Sequence, residues 1–270
     1  MKKVAVLGPR GTFCELAFNK FNINNLYEPI FYNSVEETYR SINNETDYAI
    51  LPLENILNGY IQQSLDLLID TKYKIIEEIY IPVKFSLVTN SSNLDEIKNI
   101  YVQFEAKKQC MNFLNQFKNI NYIITESNTS INKLTSEKDA AIIPFHFNTN
   151  SKTRVDNIED IENNKTRFIV LSKKNIDIKH NDILKSSIWI ITKNFDKPGL
   201  LYNILGLFSN IDLISIISRP TNKEFGKYNF FIESIIKNNY KEYLYILNKL
   251  RNHSNIEINE LGEYLYQDIN

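Results

Sequence analysis

The sequence predicts an α/β protein with a mainly parallel sheet, followed by a smaller α+β unit of ferredoxin-like pattern. Three observations predict it. Short apolar runs alternate with amphipathic stretches from Lys3 to Leu171 in a βαβ rhythm. A polar, charged stretch from Ser172 to Lys185 interrupts that rhythm and reads as a linker. Beyond it, strand and helix patterns follow one another as βαββαβ between Ile188 and Glu260.

In order, Lys3 to Leu7 is an apolar strand, and Phe13 to Phe21 an amphipathic helix. Ser34-Val35-Glu36-Glu37 places a capping hydroxyl three residues before a carboxylate, which opens a second helix, and Tyr48 to Leu51 is the next strand. After Pro52 come a helix through Ile61 to Leu68 and apolar stretches at Tyr73 to Ile81 and Phe85 to Val88. A second α/β unit runs from Tyr101 through a helix Lys107 to Phe117, a strand Tyr122 to Ile124, and Ala140 to Ile143. The acidic, Asn-rich loop Asp156 to Lys165 then feeds the strand Arg167 to Leu171, where the chain returns toward a cleft. A domain boundary near residue 180 follows.

The C-terminal unit reads as strand Ile188 to Thr192, helix Pro198 to Ser209, strands Leu213 to Ile217 and Tyr228 to Ile235, helix Tyr240 to His253, and strand Ile256 to Glu260. Pro198 suits a first helical position, where its missing N–H costs nothing, and Lys223 to Lys227 with Gly226 makes a hairpin turn.

Composition bounds the function. At 270 residues the chain makes one large domain or two smaller ones, by a norm of roughly 100–200 residues per domain. The 31 Lys and Arg against 32 Asp and Glu leave a net charge of −1, with no basic arm for nucleic acid and no acidic tail. Cys14 and Cys110 lie far apart, and His146, His180 and His253 are scattered, so neither a metal site nor a disulfide framework is expected. The N-terminal run Val4 to Gly8 is too short for a signal-peptide core, and no stretch approaches the ~20 apolar residues of a membrane helix. A soluble, cytoplasmic protein without membrane contact is expected.

Four constellations can carry chemistry. Gly8-Pro9-Arg10-Gly11-Thr12-Phe13-Cys14-Glu15 follows a strand and opens a helix, where free N–H groups favour an anion such as a carboxylate; a plain βα turn explains it as well. Pro52-Leu53-Glu54-Asn55-Ile56-Leu57-Asn58-Gly59 lies at a strand end, so Asn55 can face a ligand crevice or merely cap a helix. Asn163-Asn164-Lys165-Thr166-Arg167-Phe168 joins a hydroxyl, a bidentate cation and an apolar wall, yet also fits a strand start with a surface ion pair. In the C-terminal unit, Lys197-Pro198-Gly199-Leu200-Leu201 and Ile217-Ser218-Arg219-Pro220 fall at a strand-to-helix turn and a strand end, where packing and an ion pair are equally good explanations.

Together and in this order, these segments resemble the monofunctional prephenate dehydratases, a catalytic domain followed by an ACT regulatory domain. The family's Gly-Pro-x-Gly-Thr-Phe-Ser is similar to Gly8 to Cys14, its Pro-x-Glu-Asn-Ser-x-x-Gly to Pro52 to Gly59, and its Asn-x-Thr-Arg-Phe to Asn164 to Phe168. In the ACT domain Glu-Ser-Arg-Pro is similar to Ile217 to Pro220, and Gly-Ala-Leu to Gly199 to Leu201. The resemblance implies a two-lobed, periplasmic-binding-protein-like catalytic domain over residues 1–178 and an ACT domain over 186–265. It implies decarboxylative dehydration of prephenate to phenylpyruvate without a cofactor, modulation by L-phenylalanine, and a homodimer or homotetramer.

By the same resemblance Thr166 serves the departing hydroxyl, while Gly11, Thr12, Phe13, Cys14, Asn55, Gly59, Arg167 and Phe168 bind substrate. Gly199, Leu200, Leu201, Asp212, Ser218, Arg219 and Pro220 would bind the effector. There are departures: Cys14 and Ile56 replace serines, Tyr60 replaces a small residue, Ile217 replaces Glu, and Asp212 replaces Asn. The family's Ser-His-Pro-Gln-Ala-Leu-Ala-Gln-Cys survives only as Ala106, Gln109 and Cys110, and its Ser-Thr pair is unclear near Ser127 to Ser130. These motivate two alternatives, a diverged enzyme acting on arogenate or decarboxylating prephenate without dehydration, and a non-catalytic amino-acid sensor.

Overall fold

Val4, Ala5 and Val6 are completely buried, three in succession, as happens when a strand is covered on both faces. Their strand, β1 (Lys2–Leu7), lies in a mixed sheet of order β2-β1-β3-β11-β5, with β4 appended to β3. β2 spans Tyr27–Tyr32, β3 Tyr48–Asn55, β4 Gly59–Tyr60, β5 Lys74–Pro82 and β11 Lys165–Ser172. β1 pairs parallel with β2 and β3, whereas β11 runs antiparallel between β3 and β5. The structure is a computed structural model and describes residues 1–127, 134–175, 182–193, 198–221 and 224–267.

Helix α1 (Phe13–Phe21) buries Cys14, Ala17 and Phe18, one stripe at helical spacing, against this sheet. Helices α2 (Val35–Arg40) and α3 (Gln62–Leu68) also belong to this half of the chain. At the start of α2 the Ser34 hydroxyl accepts from Glu37 N at 3.1 Å. The returning Glu37 carboxylate accepts from Asn33 N at 3.0 Å, one residue upstream of the usual capping-box partner.

A second sheet has the order β10-β6-β9-β7-β8, from strands β6 (Phe85–Thr89), β7 (Asn99–Gln103), β8 (Asn121–Thr125), β9 (Asp139–Pro144) and β10 (Thr153–Asp156). The chain leaves the first sheet after β5, builds the second, and returns at β11. Both crossings meet where Val83 N donates to Asn164 O at 2.9 Å.

The third sheet, β13-β14-β12-β15, comprises β12 (Leu184–Thr192), β13 (Asp212–Pro220), β14 (Tyr228–Ile236) and β15 (Ile256–Leu265), all antiparallel. With α6 (Leu200–Gly206) and α7 (Tyr240–Arg251) it gives the expected βαββαβ order. One face packs Ile188, Ile190 and Ile232 under these helices, while Trp189, Phe231, Leu261 and Tyr264 on the other join the core of the first sheet beside Leu51, Leu53 and Ile75. At Gly262 (φ 136°) a Cβ would lie 2.5 Å from Ile75 O, so glycine alone permits this approach of β15 to β5.

Some expectations change. β2 went unread because Pro29 interrupts its pattern; it is an edge strand, where a missing N–H is tolerated. β10 also adds a short edge strand that the sequence did not announce. The single helix Lys107 to Phe117 is instead two short ones, α4 (Phe104–Lys108) and α5 (Met111–Leu114). Asp160 makes the break, its carboxylate accepting from Met111 N and Asn112 N while its own N–H reaches Gln109 O. Pro198 is not the first residue of α6, which starts at Leu200 with Gly199 (φ 85°) as its N-cap. Lys197, Lys223, His180, Thr129, Ser130 and the middle of the linker lie outside the described residues. Among those described, no helix is long and apolar enough to cross a membrane.

Candidate active site at the junction of two sheets

Asn55 ends β3 and Thr166 is the second residue of β11, and antiparallel pairing sets them directly opposite each other. Asn55 Nδ2 donates to Thr166 Oγ1 at 3.0 Å, to Asn164 Oδ1 at 2.9 Å and to Lys165 O at 3.2 Å. Its Oδ1 accepts from Leu57 N and Asn58 N, which fixes the orientation of the amide. Asn164 Nδ2 in turn donates to Gln109 Oε1 at 3.0 Å. A line of side-chain hydrogen bonds therefore runs Thr166–Asn55–Asn164–Gln109, from the first sheet to α4's C-cap beside the second.

The Thr166 oxygen accepts from Asn55, so its own proton can be offered to a ligand, and the accepted bond strengthens that donation. Asn55 was expected to reach substrate directly. Its donors go instead to Thr166, Asn164 and the Lys165 carbonyl, so it is corrected to a residue that positions Thr166.

Arg167 needs the larger correction. Successive side chains of a strand face opposite ways, and Arg167 leaves the face of Thr166 and Phe168 for the third sheet. Its guanidinium, 4% exposed, reaches Glu233 at 2.7 Å, Glu54 at 2.8 Å, the Tyr60 hydroxyl at 3.0 Å and Glu78 at 3.3 Å. Lys185 Nζ also binds Glu78, at 2.9 Å. Burial by itself would raise the Glu233 carboxyl, but the charges of Arg167 and Lys185 and hydrogen bonds from Arg167 and Tyr60 outweigh it and hold it down at about 2. Every arm of the guanidinium is engaged by protein, so Arg167 is an interface cation, not a ligand for substrate carboxylates.

Ile56 and Tyr60, which depart from the family's pattern, lie on that same far side. With Glu54, Arg167, Lys185 and Glu233 they line a cavity of about 310 Å³ between the first and third sheets. They do not plug the Thr166 side. Gly59 (φ 70°) turns the chain into β4, opposite Asn55.

The opening turn contributes differently from expectation too. The Gly11 amide (φ 87°) is taken by Glu15 Oε2 at 2.6 Å, so it is not free for an anion. Thr12 is the N-cap of α1, but its hydroxyl is buried and makes no well-formed hydrogen bond among the described residues. Phe13 packs with both the first-sheet core, which holds Phe168, and the second-sheet core, and meets the Phe85 ring edge-on at 5.6 Å. Cys14 points into the core behind α1, where burial pushes its thiol up to about 12. That contradicts a contact between Cys14 and substrate.

In the third sheet, Gly199 caps α6 and Leu200 is a core residue. Leu201 is half-buried in the first turn of α6. Arg219 grips Asp66 of α3 through Nε and Nη2 at 2.8 and 2.7 Å, so the ion-pair explanation holds for it. Asp212 sits at the opposite end of β13 from Ser218 and Pro220.

One residue near the opening turn was not singled out from the sequence. His146, just past β9, places its ring 5.7 Å from Phe13. A lone histidine in an apolar stretch carries no spacing that would reveal this.

Fold and site together define a mixed α/β protein in which a threonine hydroxyl, oriented by buried amides, stands where two sheets meet beside aromatic walls. The family model described as prephenate dehydratase matches residues 4–176. The prephenate dehydratase of Methanocaldococcus jannaschii is 32% identical over 97% of this chain and 98% of its own length, and that of Bacillus subtilis 30% over 86% and 87%. Among solved structures, the Staphylococcus aureus prephenate dehydratase matches with a TM-score of 0.77 at 28% identity, over 98% of this chain and all of that one. The Arthrobacter aurescens prephenate dehydratase, solved in complex with L-Phe, gives 0.83 at 24%, over 98% and 90%, and shows the shared fold. The chain belongs to the prephenate dehydratase family.

Proposed function

We infer that the protein converts prephenate to phenylpyruvate, releasing carbon dioxide and, with one proton taken up, water. Aromatisation drives the reaction, so the protein's task is to help hydroxide depart while the substrate is held in one pose. Thr166 donates to the departing oxygen, polarised by Asn55, which Asn164 and Gln109 keep in place. A threonine hydroxyl of ordinary acidity is a poor acid, so its effect comes from a preorganised donor, with the proton supplied through solvent. Phe13 and Phe168 supply an apolar wall that strengthens these contacts.

The observation that carries this reading is the 3.0 Å bond from Asn55 Nδ2 to Thr166 Oγ1. The test is purified protein with prephenate, following the alkaline absorbance of phenylpyruvate, then repeated with phenylalanine added. An aromatic 2-oxo acid is expected. A dihydro product would mean decarboxylation alone, and turnover equal to buffer with saturable phenylalanine binding would mean a sensor.

We further read the first two sheets, residues 1–178, as the two lobes of a periplasmic-binding-protein-like catalytic domain, and 186–265 as an ACT domain that takes L-phenylalanine in a cytoplasmic homodimer or homotetramer. The ferredoxin-like strand order supports the ACT reading. Asp212 and Pro220 lie at opposite ends of a nine-residue strand, roughly 26 Å apart at the usual rise per residue. Two β13 edges set antiparallel would bring Asp212 of one protomer to Ser218 of its partner, which supports an effector site shared between copies.

A further inference from the structure

Neither nitrogen of the His146 ring is accessible to solvent, and neither makes a well-formed hydrogen bond among the described residues. A neutral imidazole always carries one N–H and one lone pair, and leaving both unpaired in a protein interior is costly. The Thr12 hydroxyl is likewise buried and makes no well-formed hydrogen bond, with only the Cys14 thiol beside it. The two belong to one place: Thr12 precedes Phe13, whose ring meets that of His146, and weak hydrogen bonding with the Gly11 and Thr12 backbone acts on the imidazole.

His146 is also held rigidly. The carbonyls on either side of it, those of Phe145 and Phe147, both accept from the Arg154 guanidinium. Arg154 is fixed in turn by Ser86 and Asp156. A side chain braced this firmly, yet offering unpaired polar atoms toward the opening turn of the first sheet, has the form of a ligand contact.

We propose that His146 and Thr12 together bind the carboxylate of a 2-oxo acid, which in the proposed reaction is the side-chain carboxylate of prephenate. The choice of carboxylate rests on that reading and follows from chemistry. The ring carboxylate leaves as carbon dioxide, and a donor clamped on it would stabilise the ground state against its loss. The side-chain carboxylate persists into product and benefits from a fixed pair of donors. His146 reaches it from the second sheet and Thr12 from the first, so substrate would join the two lobes on the far side of Phe13.

Phenylpyruvate is the probe, because it keeps the 2-oxo acid and lacks both groups that prephenate loses. The chain has 3 histidines, so their ring-proton resonances are easily resolved by NMR. The resonance missing from a His146→Gln spectrum is expected to shift and saturate as phenylpyruvate is added to the wild-type protein. In kinetics with prephenate, His146→Phe keeps the ring and removes its nitrogens. Its KM is expected to rise about ten- to a hundredfold, the size of a hydrogen bond to a charged group, with kcat changed less than about threefold. His146→Gln, which retains an N–H, should recover part of that loss, and Thr12→Val should raise KM in the same direction.

A His146 resonance unmoved at calorimetrically saturating phenylpyruvate, no calorimetric binding at all, or an unchanged KM in folded His146→Phe would each overturn the proposal. Wild-type protein that binds phenylpyruvate through His146 but does not turn over prephenate would instead overturn the proposed reaction and leave the binding assignment standing.

Discussion

Thr166 and Arg167 are neighbours on one strand and do opposite work. On the Thr166 face the groups are neutral and one proton is left to give. On the Arg167 face two buried cations meet two buried carboxylates, with Glu54 at the rim, and every guanidinium arm is engaged. The difference teaches that strength of interaction does not locate chemistry. A cation whose every arm is taken by protein fixes two parts of a protein against each other, whereas a donor oriented but not consumed is what a substrate can use.

The contrast is sharpest when each face is broken alone. Arg167→Leu leaves two buried carboxylates, Glu78 and Glu233, to share the one cation Lys185, and should cost ~3–5 kcal/mol of stability in urea unfolding. Thr166→Ala should leave the unfolding midpoint nearly unchanged and raise the barrier by roughly 2.7–4 kcal/mol, seen as a loss of kcat. If Arg167→Leu lost only activity, or Thr166→Ala only stability, the division of labour between the faces would be wrong.

Acid probes the Arg167 face further. The Glu233 carboxyl is depressed to about 2 from an ordinary 4.5, so its contribution to stability is complete above about pH 4.5 and lost as pH falls toward about 2. Glu233→Gln should flatten the fall of Tm over that window, although it lowers Tm at neutral pH. A wild-type Tm that did not fall on acidification through this range would contradict the ion pairing. The smallest effect belongs to the rim of the same interface. Asp66 is about half exposed opposite Arg219, and Asp66→Asn should cost only ~0.2–1 kcal/mol in the same unfolding assay, shrinking with salt.

Much of this molecule was legible before any coordinates. Periodicity placed β1, α1, β5, β6, β9 and β14 within a residue or two, because burial on one face forces apolar residues into a fixed spacing. The exceptions are instructive. β2 carries a proline that only an edge position tolerates, and the break between α4 and α5 is imposed by Asp160, some 50 residues downstream in sequence. No local pattern can announce a partner so distant.

The site divides the same way. Asn55, Asn164 and Thr166 were visible as residue types at strand ends, and antiparallel pairing brings them together. The destination of Arg167, the inward turn of Cys14, the occupied Gly11 amide and the approach of His146 were not visible. Sequence by itself determined which segments become strands and helices and which ends of them carry polar groups, since these follow from spacing and capping along the chain. Only the tertiary structure decided which polar groups are satisfied by protein and which are left to meet a ligand. That depends on charges and acceptors delivered by other sheets, and burial sets how much each pairing matters.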